Sequence, residues 1–143
     1  MARRYSVTGR VRLVNMLMGF LNRIGLTGAL NHTLITLGRT SRKARSTPIT
    51  LAAVDGRRYL VAPYGPVGWV HNIRATGIAT LSRGGHDEAI TVRELPAPDA
   101  APVLYHYYTT VKITQPYFDV PDDPAVADFV PIATHHPVFR IEE

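Results

Sequence analysis

The first apolar positions along the chain fall at helical spacing. Val11, Val14, Met18, Leu21 and Ile24 recur every three or four residues, with Leu17 and Phe20 beside them. That pattern predicts an amphipathic helix ending near Gly25 or Gly28. Residues 33–37 (TLITL) form a β-branched run and predict a strand. Residues 47–54 predict a second strand, Asp55-Gly56 a hairpin turn, and residues 58–62 the returning strand. A short helix is expected over 69–75. Residues 78–82 and 89–94 read as another strand pair joined through Gly84-Gly85. Residues 97–111 read as a helix, 125–129 as a short helix after a Pro- and Asp-rich segment, and 136–141 as a last strand.

About six strands, mostly in hairpins, with an N-terminal helix and two small later ones suggest a mainly β, α+β architecture. The expected form is a small antiparallel barrel with helices packed outside. Hairpins without long crossovers argue against a parallel doubly wound sheet. No repeat or linker divides the chain, so one domain is expected over 1–143, with the helical region at 1–30.

Composition adds limits. The 143 residues are 45% hydrophobic and 19% charged, which suits a chain that buries a core. There are 0 Cys, which excludes a disulfide framework, a thiolate metal site and a thiol nucleophile. Nothing reads as a signal peptide, and residues 11–26 are interrupted by Arg12, Asn15, Asn22 and Arg23. A cytoplasmic protein is therefore expected.

Charge is unevenly placed. The formal net charge is +5. Residues 1–54 carry nine Arg or Lys and no acid, the first acid being Asp55. After Phe118 the balance inverts: Asp119, Asp122, Asp123, Asp128, Glu142 and Glu143 stand against Arg140. A one-sided field of this kind draws in an anionic ligand or surface.

The basic residues concentrate in GRTSRKARSTP, residues 38–48. Arg39, Arg42, Lys43 and Arg45 alternate there with Thr40, Ser41, Ser46 and Thr47, and Pro48 closes the stretch. Guanidinium forks match phosphate and carboxylate oxygens two at a time, and the hydroxyls add neutral donors. The plainer reading is a solvated charged loop, but 54 residues without an acid favour an anion site.

Two further stretches carry candidate chemistry. In APYGPVGWVHNIRATG, residues 62–77, a glycine turn follows a strand and Trp69 opens a short helix. A helix start after such a turn presents free N–H groups to an anion or a polar ring edge. Trp69 can stack on a planar ring or anchor the core, Arg74 can add a cation, and His71 is a base candidate or a surface residue. In TQPYFDVPDDP, residues 114–124, Tyr117 and Phe118 form an aromatic wall or a loop plugging the barrel. Tyr105, Tyr107 and Tyr108 cannot all face inward from one helix. The six His show no metal-ligand spacing, and His135-His136 diverge, so no metal is expected. No nucleophile elbow, P-loop or G-x-G-x-x-G is present. An enzyme of this composition would borrow its reactive group from a cofactor.

LGRTSRKARSTPITL, the Asp-Gly hairpin and YLVAPYGPVGWVHNIRATGIATL together resemble the deazaflavin-dependent nitroreductase family. Its members are split β-barrel oxidoreductases that bind coenzyme F420. Gly38, Arg39, Ser41, Arg45, Thr47 and Pro48 match its loop pattern, and Trp69, Asn72 and Ala75 match its W-x-x-N-x-x-A pattern. The similarity spans roughly residues 30–143. Arg42 departs from the pattern, standing where the family usually has Gly, and the C-terminal segment lacks the tyrosines of the nitroimidazole-reducing members.

The resemblance implies that the Arg39–Thr47 loop grips the phosphate of F420, with Lys43 or Arg42 reaching its glutamate tail. Ala62, Pro63, Tyr64 and Gly65 would line the ring edge through their backbone. Gly68, Trp69, Val70 and Asn72 would form the floor, with Arg74 nearby. The implied activity is F420H2-dependent reduction of a small-molecule acceptor: an enone or other activated C=C bond, a quinone, or a nitroaromatic. Tyr64 and Tyr117 are candidate proton donors or acceptor-orienting groups. The alternatives are a non-catalytic flavin or deazaflavin carrier and an FMN-dependent oxidoreductase of the same fold. The helix with Arg10, Arg12 and Arg23 suits weak peripheral membrane contact. No base-stacking aromatics accompany the basic residues, so nucleic acid is not an expected partner. Monomer and homodimer both suit such barrels.

Overall fold

The computed structural model describes residues 30–142. The amphipathic segment at residues 11–26 lies outside them. Seven strands form one antiparallel sheet: β1 (Asn31–Leu37), β2 (Ala44–Thr50), β3 (Ala52–Val54), β4 (Arg57–Val61), β5 (Ile78–Arg83), β6 (His86–Glu94) and β7 (Val138–Glu142). Their spatial order is β2-β1-β5-β6-β7-β4-β3. The described helices are α1 (Gly68–Thr76) and α2 (Ala97–Thr110), with 3-10 segments at Lys112–Tyr117, Val126–Phe129 and Ala133–His135.

The expected barrel architecture is present, with one more strand than the six read from the sequence. Residues 47–54 are not one strand. Leu51 breaks them into β2 and β3, which lie at opposite edges of the sheet. One residue spans only about 3.5 Å. The sheet must therefore curl until its edges approach, giving a split, half-closed barrel. Leu51 is buried, and its N–H donates to the Leu30 carbonyl at 2.8 Å.

Alternation along the strands divides the core. Leu60, Phe139 and Ile141 face the barrel interior with Leu34, Leu51, Leu81, Trp69 and Ile73. Val61, Val138 and Ala52 face outward and are covered by Val103, Leu104 and Tyr107 of α2, with Phe118 and Phe129. The Asp55-Gly56 hairpin forms as expected, both residues having positive φ (51° and 76°), as a two-residue turn between twisted strands requires. Among the described residues no helix is long and apolar enough to cross a membrane.

Candidate functional site

β1 and β2 pair from Asn31↔Thr50 to Leu37↔Ala44, so residues 38–43 are the hairpin loop. The loop holds its own shape. The Gly38 N–H donates to the Lys43 carbonyl at 2.8 Å, and the Arg42 N–H donates to the Gly38 carbonyl at 2.9 Å. Ser41 Oγ accepts the Lys43 N–H at 3.2 Å. A Cβ on Gly38 would meet Ser41 Oγ at 2.5 Å, so close packing explains the glycine. Arg42 has φ 58°, the left-handed conformation that suits the glycine usual at this place in the pattern. The turn keeps its shape and carries an extra cation.

Arg39, Thr40, Ser41, Arg42, Lys43, Arg45 and Ser46 are exposed, while Thr47 and Pro48 turn partly inward. Asn72 ties the loop to α1. Its Oδ1 accepts the Arg39 backbone N–H at 3.2 Å and the Arg39 guanidinium at 3.3 Å. Its Nδ2 donates to Thr36 Oγ1 at 3.1 Å. Asn72 is 5% exposed, so its amide is spent on positioning Arg39 rather than on a ligand.

Beside the loop lies a cleft of about 170 Å³. Thr47, Pro48 and Thr50 form one side. Pro63 and Tyr64 follow β4 into it, Trp69 comes from the start of α1, and Tyr107, Ile113 and Thr114 come from α2 and the 3-10 turn after it. Trp69 is 7% exposed and packs on Phe139 at 6.0 Å, the core-anchor role read for it, and it also borders the cleft. Tyr64 and Tyr117, 53 positions apart in the chain, meet edge-to-face at 4.9 Å. Gly68 is exposed with open space around it, and the Val70 N–H in the first turn of α1 donates to the Val67 carbonyl at 3.0 Å.

Other expected residues are placed elsewhere. Ala62 is buried, its N–H donating to the Pro137 carbonyl at 3.0 Å. Its carbonyl accepts from the Gly65 N–H at 3.3 Å and contacts His136 Nδ1 at 3.1 Å. Its backbone is thus committed inside the fold, leaving Pro63 and Tyr64 on the wall. Val70 is fully buried in the barrel core. Arg74 lies two positions past Asn72, on another face of the helix, and forms a forked pair with Glu94 at 2.9 and 2.7 Å. The structure does not bring it to the basic loop. Phe118 belongs to the outer core, while Tyr117 reaches the cleft side. Of the three helix tyrosines, Tyr105 is exposed and Tyr107 is buried.

His136 is a residue the sequence reading passed over. It is buried, stacks on Phe118 at 4.4 Å, and contacts the Ala62 carbonyl. Burial pushes its pKa below the ordinary imidazole value, against the raising effect of that hydrogen bond. Its adjacency to His135 suggested a metal question and hid this packing role. Among the described residues no cluster of three or more metal-ligating side chains occurs.

The site is thus a cationic hairpin next to an aromatic cleft on a curled antiparallel sheet. The profile of the F420H(2)-dependent quinone reductases matches residues 13–123. The chain belongs to that family: it is an oxidoreductase, and its cofactor is coenzyme F420. No curated protein matches the chain. Solved structures share the fold. An F420-H2 dependent reductase (FDR-A) superposes with TM-score 0.51 at 20% identity, over 80% of this chain and 95% of that one. A chain described as a domain-swapped dimer gives 0.56 at 18% identity, over 93% of each. A conserved hypothetical protein from Mycobacterium tuberculosis gives 0.56 at 15% identity, over 99% of this chain and 84% of that one.

Proposed function

We propose that this protein reduces a quinone, using hydride from F420H2, with the cofactor held between the residue 38–48 hairpin and the Tyr64–Trp69 wall. The observation that carries the reading is continuity. Pro48 of the cleft follows the basic loop on β2, and Trp69 of the cleft shares α1 with Asn72, which holds Arg39. A cationic end and an aromatic end therefore form one surface.

The donor chemistry fits F420. Arg39, Arg42 and Lys43 of the loop and Arg45 at the start of β2 supply four cations in a stretch free of carboxylates, suited to a phosphate and a glutamate tail. Thr40, Ser41, Ser46 and Thr47 add short neutral donors. Pro48, Pro63 and Trp69 supply flat apolar walls for the ring. Arg74 is left out of this set because Glu94 occupies it. When bound, the reduced cofactor supplies hydride from C5 of its deazaflavin ring.

The chain's own contribution is to orient the acceptor and exclude water. Reduction of a quinone to a hydroquinone also needs a proton. Tyr64 lines the cleft with Tyr117 packed against it, and the two are the candidate donors, with solvent as the other source. Enones and nitroaromatics are flat and electron-poor too, and remain in the acceptor set to be screened. We read the chain, 1–143, as one cofactor-binding domain; among the described residues a single sheet supports both cores. Of monomer and homodimer, the homodimer has the support of the domain-swapped structure of similar fold.

Parallel fluorescence titrations with F420 and FMN, followed by turnover of a naphthoquinone with F420H2, test the reading. F420 binding with quinone turnover is expected. Binding of F420 with no turnover of any acceptor class would leave a carrier, and binding of neither cofactor would sink the proposal.

A further inference from the structure

Tyr107 belongs to no motif that suggested a site. It sits on α2 with its ring in the outer core, and it is 3% exposed. Yet it lines the cleft. Its hydroxyl has no hydrogen-bond partner among the described residues, and its oxygen is not among the buried unsatisfied atoms. Both facts hold only if the O–H opens onto the cleft.

The surrounding hydroxyls differ. Thr50 Oγ1 donates to Asn31 Oδ1 at 2.6 Å, and Thr114 Oγ1 donates to the Val111 carbonyl at 2.6 Å. Both are committed to the fold. The Tyr107 O–H, open to the cleft, is a donor that the fold leaves uncommitted.

We propose that the Tyr107 hydroxyl donates a hydrogen bond to a carbonyl oxygen of the quinone acceptor. This rests on the quinone-reductase reading above and names a contact that it leaves open. Burial, with Tyr64 adding to it, pushes the phenol pKa well up, so Tyr107 stays neutral. It therefore holds the oxygen and keeps its own proton. The acceptor gains a hydride from the cofactor and a proton from elsewhere, and Tyr107 ends the reaction unchanged.

Trp69, the only Trp of the chain, borders the same cleft and reports on it. The test is quenching of Trp69 fluorescence by a 1,4-naphthoquinone, with and without saturating oxidised F420, for wild type and Tyr107→Phe. Loss of one neutral hydrogen bond is expected to weaken quinone binding about fivefold. F420 affinity and the melting temperature should be unchanged, since no hydrogen bond within the fold is removed. A quinone affinity within about twofold of wild type would overturn the proposal. So would a loss confined to F420, which would assign the hydroxyl to the cofactor ring. A lowered melting temperature with equal losses for both ligands would make Tyr107 a packing residue, again overturning it. Failure of the underlying reading shows separately, in wild type that binds no F420 or turns over no quinone.

Discussion

The basic hairpin and the aromatic end of the cleft are assembled differently. Residues 38–43 close on themselves through three short-range hydrogen bonds, with one long-range tie to Asn72. Tyr64, Tyr107 and Tyr117 come from the end of β4, from α2 and from a 3-10 turn, and meet only because the sheet curls beneath α2. One end is local and charged. The other is tertiary and mostly neutral. The difference fits the two ligands of the proposed function: a charged tail can be gripped by a solvated loop, whereas a flat neutral acceptor needs walls from several directions.

The comparison breaks most visibly at the charges. In the proposed binding mode, Arg39→Ala with Arg45→Ala removes two charge-assisted contacts, each worth about 1.5–3 kcal/mol. F420 affinity should fall by at least about 100-fold. Quinone affinity measured without cofactor should not move. Equal losses for both ligands would mean the two ends are one site.

Asn72→Leu sharpens the link between the ends. It strips the partner from Arg39 and leaves the buried Thr36 hydroxyl without its donor. A stability loss of about 1–3 kcal/mol in urea unfolding is expected, together with weaker F420 binding. Full F420 affinity in this variant would show that the hairpin holds Arg39 unaided.

The smallest expected effect is on pH dependence, at the aromatic end. His136 titrates below the ordinary imidazole value when folded, because burial disfavours its charge. The unfolded chain thus binds more protons between those two values. Stability should be full above about pH 6.5 and fall as pH drops through that region. His32, also lowered by burial, has the same sign. Urea midpoints across this range measure the slope, and His136→Phe should flatten it. An unflattened slope would assign the acid sensitivity to His32 or to other groups.

Local chemistry was readable from the chain alone. The hairpin strands, the Asp55-Gly56 turn and the acid-free run around Arg39–Arg45 depend on neighbours a few residues apart, and turn geometry and charge density are local properties. Arg42 adopts positive φ at the place where the family resemblance implied a glycine. What only the tertiary structure decided depends on which faces meet. Leu51 breaks a strand because the two sheet edges must join there. Asn72 turns inward to hold Arg39, while Arg74, two residues on, is taken by Glu94. Tyr107 stands among three helix tyrosines that the sequence does not distinguish, and only packing of α2 on the outer face of the sheet selects it. Side-chain direction is set by long-range burial, and one-dimensional spacing does not encode which distant face will cover it.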